Sequence, residues 1–391
     1  MSKNDENKKL VPELRFKGFT DPWEQRKLSE IAETYSGGTP TVGKTEYYGG
    51  SIPFIRSAEI NSDSTELYLT KEGLGNSSAR MVAKGDILYA LYGATSGEVG
   101  ISKVEGAINQ AVLAILPISK VKREYLLQWL LKSKKAIIST YLQGGQGNLS
   151  GQIIKGLEVD LPSDAEQQRI GQMLQLLDEV ITLHQRKLDL LKQKKQFFLQ
   201  AILSQQLRFK EFAAPWEQRK LGQLASRVSE RLVKSTLPRV EYEDIISGSG
   251  ELNKATSELG QEKEGIHFQY EDILYGKLRP YLHNWLHATF EGVAVGDFWV
   301  LRAKDVEPAF LYRLISGNQF DSLANISSGS KMPRADWSLV SQANFAVPLD
   351  RDEQRSIGKL FKVLDNLIVL HRKRMLLLEQ LKAFHLQNLF V

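Results

Sequence analysis

Two long segments of the chain carry apolar residues at alternating steps of four and three, which places them on one face of a helix. A stripe kept over more than four heptads is typical of coiled-coil helices, and 38 residues of helix span about 57 Å. We predict two long helices that pack against each other through this core stripe; two unrelated surface helices are the alternative. The core stripe comprises Ile170, Leu174, Leu177, Ile181, His184, Leu188, Leu191, Lys195, Phe198 and Ile202, then Ile357, Phe361, Leu364, Ile368, His371, Met375, Leu378, Lys382, His385 and Leu389.

Polar residues interrupt the core stripe at matching places in the two segments. His184 and Lys195 in the first correspond to His371 and Lys382 in the second. Polar residues at such positions set the register of paired helices. The coincidence therefore favours helices that pair with each other. A Ser163–Glu166 capping-box spacing after a proline predicts the start of the first helix.

The helices belong to a larger duplication. LRFKGFTDPWEQRKL at Leu14–Leu28 returns as LRFKEFAAPWEQRKL at Leu207–Leu221, with twelve of fifteen residues identical, and DILY at Asp86–Tyr89 returns at Asp272–Tyr275. Each half reads as an opening motif, a variable body and a long helix. A repeat of this length indicates two duplicated domains with approximate two-fold symmetry, not a solenoid.

The two bodies have the pattern of mixed α/β domains. Short apolar runs alternate with glycine-rich turns, and one helical segment runs from about Lys122 to Leu142. The fold class we predict is α+β, with two pseudo-two-fold-related mixed α/β domains and the two long helices. The division we predict is a tail at 1–13, a first domain at 14–160, a first long helix at 161–206, a second domain at 207–350 and a second long helix at 351–391.

Composition narrows the class of partner. The chain has 391 residues, 42% hydrophobic and 25% charged, with a net charge of +5 and a pI near 9.0. The mild positive excess favours a polyanionic partner met by locally concentrated charge. There is no cysteine, which excludes disulfides and thiolate chemistry and suits a cytoplasmic protein. The polar start and the lack of long apolar runs predict neither a signal peptide nor a membrane span.

Several motifs together resemble the specificity subunit of type I restriction–modification systems. The resemblance covers essentially everything from Val11 onward, and the whole arrangement is more specific than any one motif. The motifs are PELRFKGFTDPWEQRKL and its echo, SGGTP at Ser36–Pro40, GAINQ at Gly106–Gln110, GGQGNLS at Gly144–Ser150, YGKLRPYL at Tyr275–Leu282, KMPRADW at Lys331–Trp337, and the two helices that begin with Glu-Gln.

The resemblance implies two target-recognition domains, each reading one half of a bipartite site in double-stranded DNA. The helices would form an antiparallel coiled coil that fixes the spacer and docks two copies of a modification subunit. That subunit would be an adenine N6-methyltransferase using S-adenosylmethionine, and ATP-dependent restriction subunits would join it. The chain itself would be a non-catalytic DNA-binding subunit without a cofactor, with S-adenosylmethionine, ATP and magnesium held by its partners.

Candidate contact residues follow from this expectation. Amide and basic side chains in glycine-rich loops suit the major groove, where Gln or Asn pairs with adenine and Arg with guanine; contact with phosphate or an ordinary solvated surface is the alternative. Because the two bodies differ in these loops, we expect a non-palindromic target. The DNA-binding candidates are Gly38, Thr39, Lys44, Tyr92, Gln146, Asn148, Lys277, Arg279, Tyr281, Lys331 and Arg334. The candidates on the helices are Ile170, Leu177, Asp178, His184, Ile357, Leu364, Asp365 and His371, with the two aspartates either anchoring a partner's basic residues or lying on a solvated face.

Two patterns suggest other chemistry. Gly38–Thr45 matches the phosphate-binding G-x-x-x-x-G-K-[ST] pattern, which requires a preceding buried strand and a following helix. The preceding residues are polar and the following ones hold two glycines and a proline, so we favour a loop that lets Lys44 approach a DNA phosphate. His283 and His287, four residues apart, could share a helix face as metal ligands, but no third ligand is evident. We favour surface or half-buried histidines and predict no metal site.

No methyltransferase, nuclease or serine-hydrolase motif is evident in the sequence. We therefore expect a chain that recognises DNA while its partners react. The alternatives are a nucleotide-hydrolysing enzyme that uses Gly38–Thr45 and a coiled-coil adapter that binds without sequence preference.

Overall fold

The computed structural model describes residues 11–142, 148–233, 236–260, 263–326 and 332–391. The chain forms two compact units. The first takes residues up to His184 together with Lys373–Val391, and the second is Gln185–Arg372. Each unit therefore holds one body, the first half of one long helix and the second half of the other. The five-segment division drawn from the sequence stays a prediction.

The first unit is a mixed α/β body. Its helices are α1 (Leu28–Ile31), α2 (Lys71–Gly75), α3 (Arg123–Tyr141), α4 (Gly151–Lys155) and the first part of α5 (Asp164–Leu203). Its strands are β1 (Glu24–Lys27), β2 (Ala32–Ser36), β3 (Tyr48–Ile55), β4 (Leu67–Leu69), β5 (Arg80–Val82), β6 (Ile87–Ala90), β7 (Val99–Ile101), β8 (Gly106–Ile108), β9 (Val112–Pro117) and β10 (Glu158–Leu161).

The second unit repeats that plan. Its helices are α6 (Leu221–Leu224), α7 (Pro308–Ile315), α8 (Asn318–Ala324), α9 (Trp337–Gln342) and the first part of α10 (Arg351–Asn388). Its strands are β11 (Glu217–Lys220), β12 (Ala225–Val228), β13 (Arg231–Leu232), β14 (Arg239–Val240), β15 (Ile245–Ile246), β16 (Glu251–Leu252), β17 (Gly265–Phe268), β18 (Ile273–Gly276), β19 (Trp285–His287), β20 (Gly292–Ala294), β21 (Phe298–Ala303) and β22 (Asn344–Val347).

The sheets explain what the duplication preserved. The antiparallel sheet β2-β9-β6-β7 has the same order as β12-β21-β18-β19. In the other sheet, β3–β8–β5 corresponds to β14–β20–β17, with the same parallel and antiparallel pairings. The fourth strand is added on opposite edges, β4 beside β3 in one unit and β13 beside β17 in the other. The central frame is common, and its periphery has diverged.

The two long helices confirm the prediction from the core stripe, and every residue of the stripe is buried or half-buried. In the first unit Asp178 of α5 pairs with Lys382 of α10, and Ile170 shares a core cluster with Leu389. In the second unit Lys195 of α5 pairs with Asp365 of α10. Later positions of α5 thus meet earlier positions of α10, so the helices run antiparallel.

The opening motifs hold each body to the start of its long helix. In the first unit the guanidinium of Arg15 donates to both carboxylate oxygens of Glu166, each at 2.8 Å. In the second, Arg208 donates to Glu353 at 2.8 and 2.7 Å, and Trp216 Nε1 adds a bond at 3.1 Å. The helix start predicted from the Ser163–Glu166 spacing is confirmed, because α5 begins at Asp164, and the Glu166 carboxylate is bonded to Arg15.

The residues that follow these glutamates have structural roles as well. The side-chain oxygen of Gln167 accepts from Lys122 N at 2.9 Å, and that of Gln354 accepts from Glu307 N at 2.8 Å. Each glutamine thereby satisfies a free amide at the start of the neighbouring helix, α3 or α7. Gly171 allows close approach to α3, since a Cβ there would lie 2.8 Å from Tyr125 N. The repeated Glu-Gln-x-x-Ile-Gly motif is thus explained by packing.

Candidate nucleic-acid interface

A two-segment ribbon in the second unit gathers the basic residues that the sequence singled out. Leu278 and Arg334 form an antiparallel bridge. Ala335 N donates to Lys277 O at 2.8 Å, and Arg279 N donates to Pro333 O at 2.8 Å. The segment after β18 is thereby joined to the one before α9. Lys331 lies outside the described residues.

Asp297, which precedes β21, draws two of these basic side chains together. Its Oδ2 accepts from Arg334 Nη2 at 3.0 Å, and its Oδ1 lies 3.5 Å from Lys277 Nζ. Arg334 is still 60% exposed, whereas the carboxylate is half-buried. The Arg334 guanidinium therefore faces solvent while the half-buried Asp297 carboxylate holds it in position.

Next to this ribbon, a turn presents an aromatic side chain. Pro280–Leu282 form a single 3-10 turn, flanked by Arg279 at φ 51° and His283 at φ 54°. Left-handed backbone at two residues other than glycine is costly and is kept where surrounding bonds enforce it. Here Gly248 N donates to His283 O at 3.0 Å, and Asp321 lies 2.9 Å from His283 Nε2. Tyr281 stands 53% exposed at the tip.

His283 and His287 do not lie on one helix, and both are half-buried, which agrees with the interpretation favoured from the sequence. His283 ends the 3-10 turn, and His287 ends β19, stacked on Tyr312 with ring centroids 5.3 Å apart. Burial, with Arg313 and Lys362 nearby, lowers the pKa of His287 to about 4. Across the described ranges, no cluster of three or more histidine, aspartate or glutamate side chains is placed to hold a metal ion.

In the first unit, hydrogen bonds bring several candidates to one edge. Thr39 Oγ1 donates to Gln110 Oε1 at 2.5 Å, and the neighbouring Ala111 O accepts from Leu91 N at 2.8 Å. Leu91 O accepts in turn from Leu149 N at 2.9 Å. The side chains at this edge are Thr39, Gln110, Tyr92 and Asn148. Gln146 falls outside the described residues.

Two candidates of the first unit differ in how much they reach solvent. Gly38 is buried, and a Cβ there would lie 1.9 Å from Ser78 Oγ, so glycine at this position serves close packing. Tyr92 is half-buried against the core, which raises the pKa of its hydroxyl. Thr39 and Asn148 are exposed.

Lys44 does not lie in a phosphate-binding loop of the nucleotide-hydrolase type. The residues after it form a single 3-10 turn, Thr45–Tyr47, and then strand β3. No helix begins there whose amides would hold a nucleotide phosphate. Lys44 is exposed, and its ammonium donates to Tyr47 Oη at 3.0 Å, which raises the pKa of the lysine.

The candidates on the long helices make contacts within their own units. Asp178 accepts from Gln128 Nε2 at 2.9 Å and from Lys382 at 2.5 Å. Asp365 accepts from Arg313 at 2.7 Å and lies 2.5 Å from Lys195 Nζ. Both carboxylates are engaged within the chain, while Asp178 remains 40% exposed and Asp365 26% exposed. That either one anchors a partner stays a prediction. The apolar candidates Ile170, Leu177, Ile357 and Leu364 and the histidines His184 and His371 are buried or half-buried.

Sequence reasoning missed the side chains that position others. Asp297 has no motif of its own, and its place between Lys277 and Arg334 depends on three distant segments. Gln110 lies in the GAINQ motif, but its side-chain bond to Thr39 was not predicted. Arg313 and Gln128 carry no signal on their own helices, because each acts through an aspartate about fifty residues away.

Comparison with known proteins adds to this geometry. Residues 20–193 match the family model described as the type I restriction modification DNA specificity domain. The specificity subunit of the type I restriction enzyme MjaVIII from Methanocaldococcus jannaschii is 22% identical over 97% of this chain and 93% of the relative. Residues 20–193, less than half of the chain, are thus similar to the type I restriction modification DNA specificity domain.

Two relatives with higher sequence identity match only part of this chain. The MjaIX specificity subunit of the same organism is 32% identical over 41% of this chain and 38% of its own. The EcoR124I/EcoR124II subunit of Escherichia coli is 26% identical over 42% and 43%. The chain thus aligns with less than half the length of these two curated relatives.

Solved structures confirm the fold class. A type I specificity subunit from M. genitalium superposes with a TM-score of 0.68 at 15% identity, covering 98% of this chain and 99% of that one. A chain from a study of complex assembly and conformational transition of the type I system superposes at 0.53 and 13% identity, covering 94% and 97%. Among the described helices, none is both long and apolar enough to cross a membrane.

Proposed function

We propose that this chain is the DNA sequence-recognition subunit of a type I restriction–modification complex and binds an asymmetric bipartite target in duplex DNA. Each unit would read one half of the target. The long helices would set the spacer between the halves. The chain would carry no catalytic group or cofactor and would act in the cytoplasm.

One observation carries the proposal. The same hydrogen-bonded arrangement, here called the loop frame, occurs in both units. In the first it comprises Leu91, Ala111 and Leu149, joined at 2.8 and 2.9 Å. In the second it comprises Lys277, Asp297 and Ala335, joined at 2.9 and 2.8 Å.

The loop frame keeps the backbone constant while its side chains change. Asn148 stands before Leu149 where Arg334 stands before Ala335. Amide and guanidinium groups read different base edges in the major groove. Two readers with one scaffold and different side chains would recognise two different half-sites, as a non-palindromic target requires.

A second apolar stripe on the long helices supports the proposed partners. Residues seven positions apart form this outer stripe, and each is between 43% and 64% exposed. Exposed apolar rows of this extent mark sites where a protein is covered by a partner. The outer stripe comprises Leu176, Leu183, Leu190 and Phe197 on α5, and Val363, Leu370, Leu377 and Phe384 on α10.

The outer stripe occurs once on each helix with the same spacing, so the chain offers two equivalent apolar surfaces. We propose that two copies of a modification subunit dock there, each an adenine N6-methyltransferase that binds S-adenosylmethionine. Restriction subunits that use ATP and magnesium would join the assembly. Base flipping of the target adenine would then occur in the partner's pocket.

Long-read methylation profiling tests the recognition role. A host expressing this chain with the methyltransferase that co-purifies with it should carry adenine methylation at one asymmetric bipartite motif, absent when the chain is omitted. Methylation without a motif, or a motif that persists without the chain, would contradict the proposal. DNA binding with no sequence preference in the assembled complex would favour the adapter alternative.

Pull-down tests the outer stripe. Leu190→Asp places a charge in the apolar row and should reduce co-purification of the methyltransferase at least tenfold. The matched control is Lys194→Asp, an exposed position on the same helix outside the stripe. Equal retention by both variants would show that the stripe is not the docking surface.

A further inference from the structure

The Lys277–Asp297–Arg334 cluster of the second unit is held more firmly than exposed charges usually are. Lys277 N donates to Asp297 O at 2.9 Å, so the backbones that carry the two charges are bonded directly. Tyr242 Oη donates to Asp297 O at 2.6 Å and accepts from Leu278 N at 3.2 Å. Burial raises the pKa of Tyr242 to about 12, so this hydroxyl keeps its proton at neutral pH.

The cluster is confined to one unit. The loop frame places Leu91 and Ala111 of the first unit where Lys277 and Asp297 stand in the second. Neither of these first-unit side chains can form an ion pair. The charged cluster is therefore an addition to the common scaffold and not part of what holds the scaffold together.

The chemistry of the cluster favours a base edge over a phosphate. A guanidinium has five N–H donors in a fixed fork, and one Nη bonded to Asp297 leaves donors for a bidentate contact. Guanine N7 and O6 are the acceptors that arginine pairs with most often in the major groove. The carboxylate of Asp297 offsets one of the cluster's two positive charges, so the cluster attracts a phosphate less strongly than two unpaired cations would.

Asp297 also lowers the entropic cost of binding DNA. A free arginine side chain loses rotamer freedom when a complex immobilises it. In this unit Arg334 is already held at 3.0 Å from Asp297. Pre-orientation of this kind increases discrimination between bases because only one geometry is presented.

We propose that Arg334 reads a guanine in the half-site bound by the second unit, and that Asp297 is the positioning residue that aims it. This inference rests on the proposed function and goes further by naming one residue, one base and one half-site. Lys277 shares the carboxylate and keeps the cluster's net charge positive beside DNA. The first half-site is read without such a cluster.

The test is selection of sequences from a pool of random duplex DNA by the full chain, purified with the methyltransferase that accompanies it. The wild type should enrich a bipartite motif with a guanine at one position of one half. Asp297→Asn and Arg334→Ala should each reduce the preference at that position by about tenfold or more, the loss expected for one bidentate pair. Preferences in the other half should stay unchanged and serve as the internal control.

The double variant and a matched charge control sharpen the result. Because Asp297 acts through Arg334, Asp297→Asn combined with Arg334→Ala should lose no more preference than Arg334→Ala alone. Glu243→Gln removes one exposed negative charge from the same unit and should leave every preference intact. Thermal unfolding midpoints equal to the wild type's would show that the variants are folded.

The outcomes separate the inference from the function on which it rests. A wild type that enriches no motif overturns the proposed function. A wild-type motif that Asp297→Asn leaves unchanged overturns the inference alone. Uniformly tighter binding by Asp297→Asn, with the motif intact, would identify Arg334 as a phosphate contact and also overturn it.

Discussion

Asp178 and Asp365 occupy equivalent positions on the two long helices but hold different neighbours. Asp365 lies between Arg313 and Lys195, at 2.7 and 2.5 Å, and the Arg313 side chain is only 5% exposed. Asp178 lies between Lys382 and the neutral Gln128. Replacing each aspartate by asparagine therefore removes the carboxylate from two cations in the second unit, the buried Arg313 guanidinium and Lys195. In the first unit it removes the carboxylate from one cation, the Lys382 ammonium, which is 16% exposed.

The magnitudes follow from that difference. Breaking a buried ion pair by removing one partner costs about 3–5 kcal/mol, and partial exposure of Asp365 and Lys195 lowers our expectation to about 3 kcal/mol. In Asp178→Asn, the weakened hydrogen bonds to Gln128 and the lysine cost about 1 kcal/mol. We therefore predict that Asp365→Asn destabilises its unit by about 2 kcal/mol more than Asp178→Asn destabilises the other.

Native-state hydrogen exchange measures the two units separately, which a single unfolding curve of a two-unit chain does not. Amides of α7, which carries Arg313, should exchange faster in Asp365→Asn. Amides of α3, which carries Gln128, should respond to Asp178→Asn by a factor about thirty times smaller, the equivalent of 2 kcal/mol. Equal effects of the two variants would refute the reasoning that a buried cation sets the difference.

Three further predictions concern single side chains. Arg15→Ala leaves the buried Glu166 carboxylate unpaired and should lower the free energy of unfolding in urea by about 3–5 kcal/mol. The control Arg26→Ala removes an exposed ion pair and should lower it by less than about 1 kcal/mol. Similar losses in the two variants would contradict this prediction. The folded pKa of His287 is about 4, below the ordinary 6.5, so the unfolded chain takes up the proton first as pH falls. The free energy of unfolding should therefore drop by about 3 kcal/mol between these two pH values, and His287→Phe should flatten that part of the stability profile. An unchanged profile in His287→Phe would show that the pKa is not lowered. Lys44→Ala should lower the salt dependence of DNA binding by about one phosphate contact, and neither protein should hydrolyse ATP; a loss of ATPase activity in the variant would restore the nucleotide hypothesis.

The long helices and the duplicated frame could be predicted because both are periodic or repeated signals. A stripe that returns every 3.5 residues predicts a helix without knowledge of its surroundings. The matching polar residues also predicted the pairing, although the partners of the two lysines, Asp178 and Asp365, lie beside the stripe and not in it.

The sequence allowed us to predict the residue composition of the DNA-facing loops but not the contacts between them. Basic and amide residues between strands indicated a DNA-facing surface, but Asp297 carried no signal of its own. Its role arises because β18, β21 and the segment before α9 meet in space, more than twenty residues apart in sequence. The four-residue spacing of His283 and His287 carries no structural meaning, because a 3-10 turn and a strand stand where a helix would be needed.

Exchange of one recognition body tests the central claim most directly. Residues 14–160 would be replaced by the corresponding segment of a type I specificity subunit that the chain resembles, and the host's methylated motif would be read before and after. If each unit reads its own half-site, one half of the motif changes and the other half keeps every base. A motif that stays the same, or one that changes in both halves, would contradict the account.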